Sequence, residues 1–316
     1  MTEPLSFLLA YFVFPGLLFT GTMSLLFVGI DRKVAAHMQN RIGPPIWQEF
    51  FDVGKLLGKE DITPAPAQSA VFTLAPLLSF GAIVAVMLLL PVNSAEPALV
   101  LVADLIVIIY LLNIPAISLM LGGYSSASPF GALGASRYVL QLFGYEFAFI
   151  IAALSVAIRV GSLNLTDFVN YQALHGWFLL DWRLLPALIA SVIAIQGKLL
   201  RVPFDIPEAE VEIVHGPLTE YSGPKLALMR IAYDIEILAV AGFMTALFLG
   251  GPTPFDIAGV HIPGVVSFLI KCLAIVLLTT TIRCVTARLR IDQAVKFFWT
   301  FAATLAIMSF VLVLVI

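Results

Sequence analysis

The chain has 316 residues, of which 60% are hydrophobic and only 12% charged, and its formal net charge is −3. Soluble domains are about 45–50% apolar and about 25% charged, so this composition excludes a soluble globular protein. Several apolar runs reach the ~20 residues that a helix needs to cross the hydrocarbon core of a bilayer. We therefore expect an integral membrane protein, folded as a single membrane domain over residues 1–316.

Hydropathy predicts an all-α protein with eight transmembrane helices. Their predicted ranges are 5–30, 68–92, 97–121, 137–160, 184–200, 226–250, 263–283 and 294–316. The fifth is short for a span. The first run lacks a preceding basic region, so it is interpreted as a span and not as a signal peptide.

Basic residues are concentrated at one end of the predicted bundle. The segments at that end carry Arg32, Lys33, Arg41, Lys55, Lys59, Arg137, Lys198, Arg201, Lys225, Arg283, Arg288 and Arg290. The opposite end has Arg159 and Arg183, with Lys271 in or near a span. The positive-inside rule then predicts a multi-pass protein of the cell inner or plasma membrane, with both termini outside.

Two connecting segments have distinctive patterns. After the first span, Trp47, Phe50, Phe51 and Leu57 recur at helical spacing with charged residues on the other faces, which predicts an amphipathic helix in the membrane interface. A solvated helix that only anchors the chain is the alternative. Residues 122–136 are rich in Gly and Ser without a phosphate-loop motif, and we interpret them as a flexible or backbone-exposing loop.

The stretch from Arg201 to Lys225 carries an unusual concentration of acids for this chain. Its carboxylates are Asp205, Glu208, Glu210, Glu212 and Glu220. A short helix beginning at Pro207 is predicted, and acids in its first turn would complement the helix dipole. Because capping explains only one or two of them, we expect a buried site or a docking surface for a partner.

Four more acids lie inside predicted spans, where ionisable residues are costly and indicate function by default. Glu146 lies nine residues past Arg137, about 13 Å along the helix, so its partner must come from another helix. Asp234 and Glu236 lie at similar depth, although Arg230 is placed to pair with Asp234 at i,i+4. Asp104 lies nearer the outer half, where capping is the alternative. Together the acids predict a proton or ion pathway.

Five ordered motifs carry a resemblance to a known family. They are DRKVAAHMQNRIGP (31–44), GKLLGKEDITP (54–64), GGYSSASPFGALGASRYVLQLFGYE (122–146), PFDIPEAEVEIVHGPLTEYSG (203–223) and RLRIDQ (288–293). They resemble the subunit 1 family of respiratory complex I and its relatives in membrane-bound hydrogenases. The short segment after Gly43 is most similar to the group-4 [NiFe]-hydrogenase and formate hydrogenlyase branch. The resemblance implies a tilted eight-helix bundle.

The resemblance also implies a role without catalysis of its own: anchoring a peripheral redox arm and coupling it to proton or sodium translocation. The expected partners are membrane lipids, hydrogenase-like large and small iron–sulfur subunits, and antiporter-like membrane subunits, with no nucleic acid. Those partners would carry iron–sulfur clusters and a [NiFe] centre, and this chain no cofactor. In the alternative, quinone-reducing or sulfur-reducing, interpretation the nearby substrate is a quinone or sulfur.

Residue by residue, the five loop acids match the family's acidic loop, Glu146 its YE motif and Asp104 a membrane-embedded acid. Asp234 and Glu236 match less securely. The basic residues expected at the peripheral-arm interface are Arg32, Lys33, Arg41, Arg137, Arg201 and Arg288. Two other functions stay open: a purely structural anchor, and an independent transporter, which the absence of a visible internal repeat disfavours.

Overall fold

The computed structural model describes residues 9–257 and 260–315, and the side chains of residues 210, 211, 255–257, 260 and 261 also lie outside the description. The helices are α1 (Leu17–Met38), α2 (Gln48–Leu57), α3 (Ser69–Leu89), α4 (Asp104–Ser125), α5 (Pro129–Val160), α6 (Leu165–His175), α7 (Leu185–Lys198), α8 (Glu210–Ile213), α9 (Gly223–Phe248), α10 (Gly264–Val285), α11 (Ile291–Phe297) and α12 (Ala303–Val315). Shorter elements are the 3₁₀ turns Phe178–Leu180 and Gly216–Leu218, the π turn Phe298–Ala302, and strands β1 (Phe255–Ile257) and β2 (Val260–Ile262).

The predicted bundle of membrane helices is confirmed. Within the described ranges, seven helical segments are long and apolar enough to cross a membrane: α1, α3, α4, α5, α9, α10 and the continuous α11–α12. The fifth predicted span is α7, which has 14 residues and is therefore about 21 Å long. The predicted amphipathic helix is α2, whose Trp47, Phe51 and Leu57 side chains are exposed.

Helix α9 is the centre of the bundle. It packs against α1, α2, α3 and α10, and nearly every side chain from Ala232 to Phe248 is buried. A helix that is apolar all round needs such complete coverage by neighbours. The two acids on this helix, Asp234 and Glu236, are therefore enclosed by protein and not by lipid.

The π turn of the last span packs around one buried aromatic side chain. Phe298, in the π turn, is fully buried between α5 and α7. A Cβ added at Gly144 would lie 3.1 Å from its ring, and one at Gly197 would lie 2.6 Å away. These two glycines therefore create the space that the Phe298 ring fills.

The first helix differs from its predicted range of 5–30, of which residues 5–8 lie outside the described chain. Its main part begins at Leu17, after a break at Pro15 and Gly16, and continues to Met38. A Cβ on Gly29 would lie 2.1 Å from the Ile46 carbonyl oxygen. The following loop thus folds back onto α1, so its polar end stays helical beyond the apolar run.

Two local predictions are wrong. Residues 122–136 are not a flexible loop, because α4 runs to Ser125 and α5 begins at Pro129. The helix predicted from Pro207 has only the four residues of α8, since Ala209 is extended (φ −61°, ψ 93°). The strands β1 and β2 form a small antiparallel hairpin that hydropathy did not predict.

Candidate functional site

The acidic loop, residues 199–222 between α7 and α9, is fixed to the bundle by buried glutamines. Gln141 on α5 donates from Nε2 to the carbonyl oxygens of Gly197 and Phe204, both at 2.8 Å. Gln196 on α7 donates to the Val202 carbonyl oxygen at 2.8 Å. Buried amide-to-backbone bonds of this kind hold the loop in one position, so its acids have defined partners.

Two loop acids form ion pairs near the surface. Asp205 accepts two hydrogen bonds from Arg288, one from Nε at 2.7 Å and one from Nη2. Glu212 lies 2.5 Å from Arg137 Nη1, and its side chain is 57% exposed. Exposed pairs contribute about 0–1 kcal/mol each, so these four residues shape the loop surface more than they stabilise it.

Next to the acidic loop lies a partly open cavity of about 180 Å³ with both polar and apolar side chains on its wall. Glu208 from the acidic loop lines it, together with Glu236 and Arg230 from α9 and the side chains of Tyr138 and Tyr233. Glu236 is 3% exposed, and its Oε1 has no hydrogen-bond partner in the described part of the chain. A cavity of this size with several polar groups on its wall has room for a few waters.

Glu146 belongs to a neighbouring cluster made by three helices. Its Oε1 accepts a hydrogen bond from Asn113 Nδ2 on α4 at 2.6 Å, and its Oε2 lies 3.8 Å from Lys198 Nζ on α7. Lys198 donates to Asn113 Oδ1 at 2.7 Å and is 1% exposed. The partner on another helix that the sequence requires for Glu146 is therefore Lys198, which also acts electrostatically on Glu236.

A third cluster, around Asp31, was not predicted. Asp31 Oδ1 lies 3.3 Å from Arg201 Nη1 and its Oδ2 lies 3.2 Å from Arg283 Nη2. Thr280 also donates to this carboxylate. Asp31 and Arg201 are both buried, so the pair ties the start of the acidic loop to α1 and α10.

The amphipathic helix contributes a buried acid of its own. Glu49 is fully buried and lies 2.5 Å from Arg32 Nη1. Burial raises the pKa of the Glu49 carboxyl above its ordinary value, against the opposing charges of Arg32 and Arg230. Asp234 on α9 is also buried and lies within electrostatic range of Glu49. Arg230 also acts on Asp234 electrostatically, but the described residues show no ion pair within 4.0 Å between these two side chains.

Asp104 lies apart from these clusters. It is the first residue of α4 and accepts a hydrogen bond from the Leu101 amide at 2.8 Å. Asn113, the contact of Glu146, lies nine residues further on, about 13 Å along the helix. The hydrogen bond fixes the residues just before α4 and does not cap the helix, so the geometry favours a local structural role of Asp104 over a continuous pathway through it.

The remaining predicted residues are dispersed. Lys33 donates weakly to the Gly43 carbonyl oxygen at 3.4 Å, and Arg41 lies beside Arg32 and Arg283 in an open pocket. Glu220 is half-buried, and the Glu210 side chain lies outside the description. Arg201 needs a correction: it is 3% exposed and bound to Asp31, so it does not lie on an exposed docking surface.

Small residues let the acidic loop approach the α4–α5 corner. A Cβ on Gly134 would lie 2.5 Å from Pro217 Cδ and 2.8 Å from Gly216 Cα, closer than real Cβ contacts. At the same corner, Tyr221 stacks on Phe72 with ring centroids 4.0 Å apart. The glycines of residues 122–136 are therefore required for close packing.

We expect Gly134→Ala to displace this part of the loop, because overpacking costs about 1–3 kcal/mol. The loss of stability is measured as a lower thermal unfolding temperature of the purified complex. Gly21→Ala is the matched control, since a Cβ there meets nothing within 4 Å. Equal unfolding temperatures for both variants and the native chain would contradict the packing argument.

Comparison with known proteins identifies the family. A family model described as NADH dehydrogenase matches residues 11–314, nearly the whole chain. The chain belongs to this family. In complex I terms it is a subunit 1 protein, as its five motifs indicate.

Curated relatives and a solved complex are similar over most of the chain. The H subunits of NADH-quinone oxidoreductase from Brevibacillus brevis and Geobacillus thermodenitrificans are 34% and 36% identical; each alignment covers 90% of this chain, and 86% and 87% of those proteins. A chain of an archaeal membrane-bound sulfane sulfur reductase complex superposes with a TM-score of 0.88 at 27% identity, covering 99% of this chain and 100% of that one. The family's members are thus subunits of multisubunit respiratory complexes.

Within this subunit 1 fold, sequence reasoning missed two buried charges. Asp31 stands at the end of an apolar run and Glu49 on the amphipathic helix. The signal that would have identified Asp31 is the rule applied to Glu146, that an acid inside a span requires a partner. Glu49 gave no such signal, because charged residues are ordinary on an amphipathic helix.

Proposed function

We propose that the chain is the membrane-anchor and coupling subunit of a complex I-related complex, linking a [NiFe]-hydrogenase-like peripheral arm to proton or sodium translocation. Large and small iron–sulfur subunits would sit against the acidic loop, and antiporter-like subunits would pump. The iron–sulfur and nickel centres belong to those partners. The positive-inside rule places the loop on the cytoplasmic side.

One observation carries the coupling role: the acids continue from the loop into the bundle. Glu208 and Glu236 line one cavity, and Lys198, the ion-pair partner of Glu146, also acts electrostatically on Glu236. Carboxylates within reach of one another through side chains or water can pass a proton inward.

The nature of the arm rests on a second observation. The chain of the sulfane sulfur reductase complex superposes over its full length with a TM-score of 0.88 at 27% identity. This superposition supports an arm of the hydrogenase or sulfur-reductase kind. The names of the curated relatives favour the second candidate, reduction of a quinone at the same surface.

The arm is tested by purifying the native complex and measuring its nickel and iron. Nickel together with hydrogen-dependent reduction of a soluble dye is the expected result. Iron without nickel, with electron transfer to a quinone or to polysulfide, would contradict the hydrogenase arm. It would indicate a quinone-reducing or sulfur-reducing arm and would not affect the proposed coupling role.

The coupling role is tested by Glu146→Gln. Because Gln cannot carry a proton, the variant complex in proteoliposomes should reduce soluble acceptors normally while forming no ion gradient. An unchanged gradient would show that Glu146 is only the structural partner of Lys198. The amount of assembled complex, measured in the same preparation, separates this result from misfolding.

A further inference from the structure

The end of the bundle opposite the acidic loop has a basic and aromatic pocket. Arg159 lies in the last turn of α5, and the segment before α7 brings Trp177, Asp181, Trp182 and Arg183 beside it. These residues line a half-open pocket of about 410 Å³. None of them belongs to the clusters around the acidic loop, so the pocket has a separate role.

The charges of this pocket are not balanced. Asp181 is shared: its Oδ2 lies 3.2 Å from Arg159 Nε, and its Oδ1 accepts the Arg183 backbone amide at 3.1 Å. The Arg183 guanidinium forms no ion pair with any described residue, and its Nε is buried with no hydrogen-bond partner among them. Arg183 as a whole is partly exposed, and its guanidinium carbon lies 5.8 Å from the centre of the Trp182 ring. Its positive charge is therefore accessible to an anionic acceptor.

The depth of the pocket points to a lipid as the source of that acceptor. Helix α7 is about 21 Å long, roughly 9 Å shorter than the ~30 Å hydrocarbon core. The segment before it occupies the missing depth, with Leu180 80% exposed and Trp182 56% exposed. Tryptophans favour the headgroup level. Along α7 itself, Leu185 and Ile189 are also exposed.

We propose that this pocket binds the phosphate of an anionic phospholipid. Arg183 and Arg159 contact the phosphate oxygens, Trp177 and Trp182 flank the headgroup, and the acyl chains lie along the exposed side of α7. The exposed apolar side chains of Leu185 and Ile189 on α7 favour a lipid over a free phosphate ion.

The test compares lipid retention by the purified complex in nanodiscs of phosphatidylcholine with a minority of phosphatidylglycerol. Native mass spectrometry after detergent release gives the ratio of the two lipids retained. Arg183→Gln should lower the phosphatidylglycerol preference about fivefold, the worth of one basic residue at an anionic surface. Lys296→Gln, which removes an exposed charge on α11, is the matched control and should retain the native ratio.

Asp181→Asn makes the test independent of folding. The amide keeps the acceptor for the Arg183 backbone but removes the charge that competes for Arg159, so the preference should rise, a gain that misfolding does not produce. Unchanged ratios in both pocket variants would overturn the proposal, including the case in which a protein subunit covers the pocket. If inorganic phosphate displaces the lipid, the pocket is a site for free phosphate, and the lipid proposal is wrong.

Discussion

Glu236→Gln is expected to abolish redox-driven ion translocation while electron transfer to soluble acceptors continues. The variant complex in proteoliposomes should form its gradient about a hundredfold more slowly, the scale of losing one proton-transfer group. The gradient is followed with a potential-sensitive dye. Electron transfer is followed in the same vesicles, so the two rates are compared directly.

The physical reason is the position of Glu236 between two clusters. It lines the same cavity as Glu208, and the positive charge of Lys198, the partner of Glu146, acts on it. Its Oε1 has no hydrogen-bond partner among the described residues, and a change of charge nearby alters whether such a carboxyl group holds a proton. Gln has nearly the same shape as Glu but cannot exchange a proton, so the substitution would interrupt proton transfer from Glu208 towards Glu146.

Glu96→Gln is the matched control, since Glu96 is exposed in the loop after α3. It should leave both rates unchanged. If Glu236→Gln also leaves the ratio of gradient to electron flow unchanged, then ions do not pass through the cavity. The acidic loop would then serve as a docking surface alone.

Asp31→Asn is expected to release the start of the acidic loop. Breaking a buried ion pair costs about 3–5 kcal/mol, because the remaining charge stays buried without its partner. Here that charge is Arg201, which is 3% exposed. Trypsin cleavage after Arg201 should accelerate about a hundredfold, the change in open population that corresponds to ~3 kcal/mol.

Asp52→Asn is the control for this effect. Asp52 lies 3.5 Å from Arg32, and its side chain is 42% exposed. Loss of an exposed pair changes stability by about 0–1 kcal/mol, so cleavage after Arg201 should stay near the native rate. Equal acceleration in both variants would mean that Asp31 does not hold the loop.

The membrane spans and the acidic loop could be predicted from the sequence because both depend on local composition. A run of about 20 apolar residues is needed to cross the bilayer whatever its neighbours are. Glu146 could also be given a partner on another helix, since its own helix offers none within reach. The identity of that partner, Lys198, depends on how α5 and α7 pack.

Tertiary packing determined what the sequence did not predict. The sequence predicts Arg201 at an interface because it borders an acidic loop. In the structure it is buried instead, since it binds Asp31, which lies 170 positions earlier in the chain. Residues 122–136 are predicted to form a loop because they are rich in Gly, which is a poor helix former. Close contact with Pro217 is what requires glycine in a helix there.

The central claim is that Glu236 changes protonation during turnover. Redox-triggered infrared difference spectroscopy of the purified complex tests it directly, since a protonated carboxyl has a carbonyl band that shifts in heavy water. We expect the native complex to show such a band when the peripheral arm is reduced, and Glu236→Gln to lack it. Identical carboxyl bands in the two complexes would contradict proton transfer through this glutamate.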